Sequence, residues 1–290
     1  MAIPDFDLKL PATLGEALAL AAVSPPPLLM AGGTDLMVQL KQGLRSAATL
    51  VSLSRVADLR KISEKDGTVS LGGGVTVAAL EASGLLARRL PGLVDAARAM
   101  ATVQIRQRAT VAGNLVTAAA CADLAPILAA LDVKVVLRSA RAERSVPIAS
   151  FFTGPRQTVL AADEILVSAE VPSGVPGSGS AYVKFGYRRG AQIAVASAAA
   201  WLKLEGGTVR AVRLVLGAVA PIPLVVRGAQ VLVGERPEGA PLEAACAAAS
   251  TECKPISDIR GSEAYRRAVV AVVARQAIER AALRAEGRTP

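Results

Sequence analysis

Two glycine-bearing segments, MAGGTDL at Met30 to Leu36 and TVAGN at Thr110 to Asn114, place flexible backbone where an apolar strand meets a polar turn. Together they suggest a split cradle for a phosphate. The first follows the apolar run Leu28 to Met30 and leads into DLMVQLKQG, where Leu36, Val38 and Leu40 have helical spacing and Gly43 is a stop signal. Gly32 and Gly33 would then precede a helix N-terminus, where free N–H groups favour an anion and the missing Cβ lets the backbone approach a pyrophosphate. Thr34 could cap that helix or touch phosphate. A single loop of this kind reads more plainly as a tight strand-to-helix turn, because short glycine motifs recur by chance.

The second segment shifts that balance. Polar Gln104, Arg106, Gln107 and Arg108 lead into a short strand at Thr110 and Val111, then a Gly113-Asn114 turn, then a helix beginning near Asp123. Asn114 tolerates left-handed backbone and offers both a donor and an acceptor. Asp123 opens an apolar helix, so it is either an N-cap or the acceptor for a ligand hydroxyl or amide; the residues alone do not choose.

Nine segments carry a resemblance. AGGTDLMVQLKQG, LGGGVTVAALE, QIRQRATVAGN, DLAPILAALD, FFTGPRQT, DEILVSAEVP, SAYVKFGYRR with QIAVAS, LVLGAVAPIP and PISDIRGSEAYRR follow one another along nearly the whole chain. In them the chain resembles the FAD-binding (medium) subunit of the molybdenum hydroxylase family, as in carbon monoxide dehydrogenase and the flavin domain of xanthine dehydrogenase. The resemblance implies an α+β protein with a vanillyl-alcohol-oxidase-like (PCMH-type) FAD-binding fold and a C-terminal antiparallel sheet and helix domain. It implies that the backbone of Ala31, Gly32, Gly33, Thr34, Asp35 and Leu36, and that of Thr110 through Ala112 and Gly113 to Asn114, holds the FAD pyrophosphate. Thr34 and Thr110 would add hydroxyl contacts. Asp123 would bind the ribityl or adenosine side, Leu166 and Lys184 would add further FAD contacts, and Tyr182 would set a ring beside the isoalloxazine. Lys184, near the flavin, would favour its anionic reduced form. The flavin carries the redox chemistry, so the chain itself is expected to supply no acid-base catalyst and no metal ligand.

The chain departs from the family pattern twice. Ala112 replaces the first glycine of a T-x-G-G-N motif and adds a methyl near the phosphate, and AAACAD replaces a stretch with Ser-Pro before the aspartate. Cys121 is not an equivalent donor to that serine. The resemblance also implies partners: a large subunit with a molybdopterin cofactor and a small subunit with two [2Fe-2S] clusters, in a dimer of heterotrimers. Electrons would pass from the clusters through noncovalent FAD to an external acceptor.

Composition narrows the alternatives. The net charge is +9, yet aromatic residues are 3% and the arginines are scattered, which does not suit a nucleic-acid surface. The last helix, from Ser262 to Ala285, is read with Val269, Val272, Val273 and Ile278 as its apolar stripe and Arg266, Arg267, Arg275, Arg280 and Arg284 as a solvated face. No apolar run reaches the ~18 residues of a spanning helix, and the start carries Asp5, Asp7, Lys9 and Glu16 in place of a secretory leader, so the expected compartment is the cytoplasm. Cys121, Cys246 and Cys253 are too few for a four-thiolate cluster. The absence of histidine excludes Ser-His-Asp and Cys-His catalysis and a histidine-linked flavin. In LGGGVTVAAL, Val77 stands where a dinucleotide fingerprint needs its third glycine, so a tight turn from a strand into a helix is the plainer reading.

The expected organisation is an N-terminal βαβ FAD-binding subdomain at 1-55, a middle FAD-binding subdomain at 56-175 and a C-terminal domain at 176-290. Pro172 to Ser180 reads as a linker, and strands from Ile193 and from Val209 flank a Gly206-Gly207 hairpin turn. Two other functions remain open at this stage: a stand-alone FAD-dependent oxidase or dehydrogenase, and a basic interaction protein that has lost FAD.

Overall fold

The computed structural model describes residues 5–188 and 190–288. Arg189, which ends the SAYVKFGYRR stretch, lies outside the described residues. At the N-terminal end, Leu28–Met30 and Thr49–Ser52 pair in parallel, with Leu28 opposite Leu50, and the helix Leu36–Lys41 makes the crossover that parallel strands require. A further strand, Asp7–Lys9, pairs with the other edge of Thr49–Ser52. Between them the helix Leu14–Ala21 starts from a capping box, in which Glu16 N donates to the Thr13 hydroxyl and Thr13 N donates to the Glu16 carboxylate.

The middle of the chain forms a five-stranded antiparallel sheet, in the order Ile62–Lys65, Thr68–Gly72, Ile165–Pro172, Lys134–Arg138, Glu143–Pro147. Helices Pro91–Ala99, Val111–Thr117 and Leu124–Ala130 join it in the largest core, where Leu71, Leu93, Leu115, Ile127 and Phe151 are fully buried. The presumed linker is shorter than the sequence suggests: one strand runs to Pro172 and the next begins at Ser178.

The C-terminal part is a four-stranded antiparallel sheet whose long central hairpin, Ala196–Glu205 and Thr208–Gly217, turns at Gly206-Gly207 as anticipated. Its first three strands alternate between two cores. Tyr182, Ala199 and Val215 are cross-strand neighbours that pack into the core of the middle part. Ala181, Val183, Ala198, Ala200, Leu214 and Leu216 point the other way, into a second core with helices Gly239–Glu252 and Glu263–Ala285. The period of two in a strand thus makes one sheet the partition between both halves of the molecule. It also sets the Tyr182 and Lys184 side chains, two residues apart, on the face toward the first half.

The last helix corrects two expectations. Its buried stripe runs Val270, Val273, Ala274, Ala277, Ile278, Ala281, a spacing of three and four that leaves Val272 53% exposed. Arg266 and Arg284 are not a solvated face. Arg266 is 3% exposed; its guanidinium donates to the carbonyls of Val195 at 2.8 Å and Ala218 at 3.1 Å and pairs with Asp258 at 2.6 Å. Arg284 clamps Asp95 and donates to the carbonyl of Ser180 at 2.7 Å, tying the last helix to Pro91–Ala99. No helix among the described residues is long and apolar enough to cross a membrane. Because Arg266→Met strands two buried carbonyls and an aspartate, it is expected to lower stability by about 3 kcal/mol in denaturant or thermal unfolding, while Arg280→Met, at an exposed position of the same helix, changes it by less than about 0.5 kcal/mol.

Candidate functional site

The loop after Leu28–Met30 lies against the segment after Val103–Arg106, and Gly32 makes that contact possible. A Cβ at Gly32 would stand 1.9 Å from the Arg108 carbonyl oxygen, so any side chain there forces the two segments apart. Gly33 has a different reason to be glycine. Its φ of +75° is in the left-handed region, and a Cβ there would meet the flexible side chain of Met30 at 3.1 Å.

Between the two segments opens a cavity of about 400 Å³. A second compartment of about 200 Å³ shares Ala31, Gly32, Thr110, Ala112 and Leu166 with it, so the two flank one wall. The sequence-predicted residues Ala31 to Leu36, Thr110, Ala112, Gly113, Asn114, Asp123 and Leu166 all line the larger cavity.

The two loops meet that cavity with different chemistry. Among the described residues, no carbonyl or side chain accepts from the backbone N–H groups of Ala31 through Leu36, and neither Thr34 nor Asp35 caps the following helix with its side chain. Six successive donors are thus left for an anion, in a loop whose charged surroundings include Arg45 and Arg156. Asp35 would repel such an anion, but it accepts from the Gln39 amide and pairs with Arg156 at 3.4 Å.

The second loop is a correction. Thr110 and Val111 do not begin a regular strand, and Gly113-Asn114 is not a turn. Thr110 caps the helix Val111–Thr117, its hydroxyl accepting from Gly113 N at 3.0 Å, and the following residues are helical. The backbone N–H groups of Val111 and Ala112 donate to the Val75 and Gly73 carbonyls, and that of Asn114 donates to the Thr110 carbonyl. What this loop offers a ligand is therefore side chains: the Thr110 hydroxyl, free to donate, and the Asn114 amide. Asn114 Oδ1 is buried with no partner among the described residues, and Nδ2 meets only Met100 Sδ at 3.9 Å. A buried amide without partners is costly unless a ligand completes it. The Ala112 methyl packs in the core, 8% exposed.

Asp123 occupies the N-cap position of Leu124–Ala130 but makes no capping bond. It is 6% exposed, and its carboxylate accepts from Tyr182 Oη at 2.7 Å and Lys184 Nζ at 3.0 Å. Burial pushes its carboxyl above the usual carboxylate range, and the ammonium and phenol pull it back. Tyr182 and Lys184 themselves line neither compartment. Tyr182 is buried, and the Tyr182 hydroxyl is pushed well above its ordinary pKa by burial and then by Asp123, so it stays a neutral donor. Burial, then Asp123, also raises the Cys121 thiol, which makes it a poor nucleophile. The sequence reading missed Arg156, at the tip of the hairpin in FFTGPRQT, and Met100, Gln192 and Ile193, which line the same cavity. Those residues come from segments that only the tertiary fold brings together.

The donors of the first loop, the orphaned amide of Asn114 and the paired compartments fit a dinucleotide pyrophosphate with donors and acceptors on either side of it. Comparison with known proteins agrees along the whole chain. A family model described as the FAD binding domain in molybdopterin dehydrogenase matches residues 4–174, and one for the CO dehydrogenase flavoprotein C-terminal domain matches residues 181–281. The xanthine dehydrogenase FAD-binding subunit of Escherichia coli is 33% identical over 280 residues, covering 96% of each chain. The carbon monoxide dehydrogenase medium chain of Hydrogenophaga pseudoflava is 31% identical over 96% of this chain and 97% of its own. The structure of quinoline 2-oxidoreductase from Pseudomonas putida superposes with a TM-score of 0.92 at 31% identity, covering 98% of this chain and 99% of the matched one.

The two glycines make a direct test. Gly32→Ala is expected to weaken FAD binding by more than about tenfold because the loops must separate, while Gly33→Ala costs about 1 kcal/mol of backbone strain and a smaller loss of affinity. Asn114→Ala should weaken FAD roughly fivefold to tenfold without lowering the stability of the FAD-free chain, since it removes an unpaired buried group. Fluorescence titration with FAD and thermal unfolding of the FAD-free variants check all three; equal affinities would leave the loops as turns.

Proposed function

This chain belongs to the FAD-binding medium subunits of the molybdenum hydroxylases, oxidoreductase flavoproteins, and on that premise we propose that it is the electron-exit subunit of a multi-subunit enzyme. A large partner subunit hydroxylates substrate at a molybdopterin cofactor, a small partner carries [2Fe-2S] clusters, and this chain passes their electrons through FAD to an external acceptor. The observation that carries the reading is the loop Ala31 to Leu36, whose six backbone N–H groups have no acceptor among the described residues and whose residues line a cavity large enough for part of a dinucleotide. FAD supplies the redox chemistry when bound; the protein binds and orients it and excludes water.

The chain's own residues divide that work. The first loop meets the pyrophosphate charge with backbone donors, and Arg45 and Arg156 stand beside it. Thr110 and Asn114 supply side-chain donors and an acceptor, Asp123 accepts from a hydroxyl of the ribityl or ribose, and Leu166 gives an apolar wall between the compartments. With no histidine for a histidyl link, and with the Cys121 thiol at the cavity raised by burial and so a poor nucleophile, this reading takes the flavin as held noncovalently. Electrons must be brought in by partners: of the three cysteines, Cys246 and Cys253 are buried in the C-terminal core and Cys121 lies at the cavity, so they do not form a cluster site. Free thiols suit a reducing compartment, and the complex is assigned to the cytoplasm as a dimer of heterotrimers.

The purified chain is expected to release FAD on acid precipitation, to contain neither iron nor molybdenum, and to be inert toward aldehydes, N-heterocycles and carbon monoxide. Adding both partner subunits should restore substrate-dependent bleaching of the flavin under anaerobic conditions. Bleaching by an organic substrate with no partner present would overturn the subunit role and make the chain a stand-alone FAD-dependent oxidase or dehydrogenase.

A further inference from the structure

Ile259 is 97% exposed, the most solvent-exposed large apolar side chain among the described residues. Its backbone is firmly held. Asp258 and Gly261 exchange both N–H···O bonds at 3.1 Å around the two-residue tip Ile259-Arg260, and the Asp258 carboxylate accepts from Arg260 N at 2.7 Å and from Arg266 at 2.6 Å. The other side of the tip is held by Tyr187, whose hydroxyl donates to the Arg260 carbonyl at 2.7 Å. Tyr187 stacks on Tyr265 with ring centroids 6.4 Å apart, and a Cβ at Gly261 would lie 3.2 Å from Tyr265 and 3.4 Å from the Tyr187 hydroxyl. A braced turn thus holds an isoleucine out in water, with Ile256, Tyr187 and Tyr265 exposed as well. Single apolar residues on a surface need no explanation, but a cluster fixed in place marks an interaction site.

The patch continues to the cavity. Tyr187 and Ile193 belong to the connection between the paired strands Ser178–Phe185 and Ala196–Glu205, and Ile193 is both exposed and part of the cavity lining. The charges around the patch are unbalanced. Among the described residues, Arg188 and Lys254 are exposed and have no ion-pair partner, whereas Asp258 is spent on Arg260 and Arg266, and Glu263 on Arg267. Two copies of such a patch would repel each other. Two unpaired cations also fall short of the roughly four to eight that draw a protein to an anionic lipid surface. A folded partner with carboxylates around an apolar socket matches both the cations and the isoleucine, and a pre-set turn loses little freedom on docking. We propose that the Ile259 turn, with Tyr187 and Ile193, is the docking surface for the electron-donating iron-sulfur subunit, whose acidic face seats Ile259 and covers the cavity edge at Ile193. The proposal rests on the electron-exit role: of the two partners, the one that reduces FAD must reach that edge.

Binding of the full FAD-loaded chain to the iron-sulfur subunit of its own complex, measured by surface plasmon resonance, tests this. Ile259→Asp should weaken the association by more than about thirtyfold and Ile259→Ala by about tenfold, the loss expected when one fully seated aliphatic side chain is removed. Arg188→Glu with Lys254→Glu should weaken it too and flatten its dependence on salt. Because Ile259 is already in water in the free chain, FAD affinity and thermal unfolding of its variants should match the wild type. Wild-type association in Ile259→Asp would overturn the proposal, and so would a loss confined to the large molybdenum subunit. Co-sedimentation of the isolated chain with phosphatidylserine vesicles, or its self-association, would overturn it as well if abolished by Ile259→Asp, since the patch would then belong to lipid or to a second copy. A wild-type chain that binds no iron-sulfur subunit counts instead against the electron-exit role on which the proposal rests, so the two failures are distinct.

Discussion

The close passage of Gly32 under the carbonyl of Arg108 is the contact on which the site depends. Nothing larger than a hydrogen fits there, with a Cβ reaching within 1.9 Å of that oxygen. The contact joins the parallel βαβ unit to the middle part of the chain and brings together a loop with free backbone donors and a capped helix with side-chain donors. The six N–H groups of Ala31 to Leu36 have no acceptor among the described residues, and the N–H groups of Val111 to Asn114 are all used within the protein. One loop is built to meet charge; the other is built to be stiff. In the proposed function a pyrophosphate offers anionic oxygens to the first, and the sugar and ring groups beyond it offer polar edges to Thr110, Asn114 and Asp123.

The C-terminal sheet contributes by partition. Alternation along its strands sends Tyr182, Lys184, Ala199 and Val215 toward the FAD-binding half and the intervening residues toward the helices Gly239–Glu252 and Glu263–Ala285. Among the described residues two well-buried ion pairs then cross the partition, Lys184 to Asp123 and Arg284 to Asp95, and a more exposed one joins Arg213 to Asp132 at 3.6 Å. Buried pairs of this kind contribute little net stability over an apolar core. Their geometric effect is larger, since each fixes the register of the second half against a wall of the cavity in the first.

Much of this was legible in the sequence. The Gly43 stop, the Gly206-Gly207 hairpin and the Ser262 cap of the last helix are local signals, and each element lies where its signal stands. The Thr13-Glu16 capping box was equally available and marks a helix, Leu14–Ala21, that the expected organisation does not contain. The second loop misled because Gly113-Asn114 is strong turn chemistry by itself; the Thr110 cap and the bonds of Val111 and Ala112 to Val75 and Gly73 make a helix more favourable there. Arg266 and Arg284 were misplaced for a related reason. Helical periodicity reports which residues are apolar, but a buried arginine is specified by partners that lie far along the chain: Val195 and Ala218 for one, Asp95 for the other. Asp123, Tyr182 and Lys184 were each singled out, yet their mutual contact and the order in which they stand behind the cavity belong to the tertiary structure alone.

Hydrogen–deuterium exchange of the amides, with and without FAD, tests the central claim most directly. The loop Ala31 to Leu36 should exchange fast in the free chain and become protected when FAD binds, while the amides of Val111 to Asn114, already bonded, should change little. FAD binding that leaves Ala31 to Leu36 unprotected, or that protects only the second loop, would contradict the account.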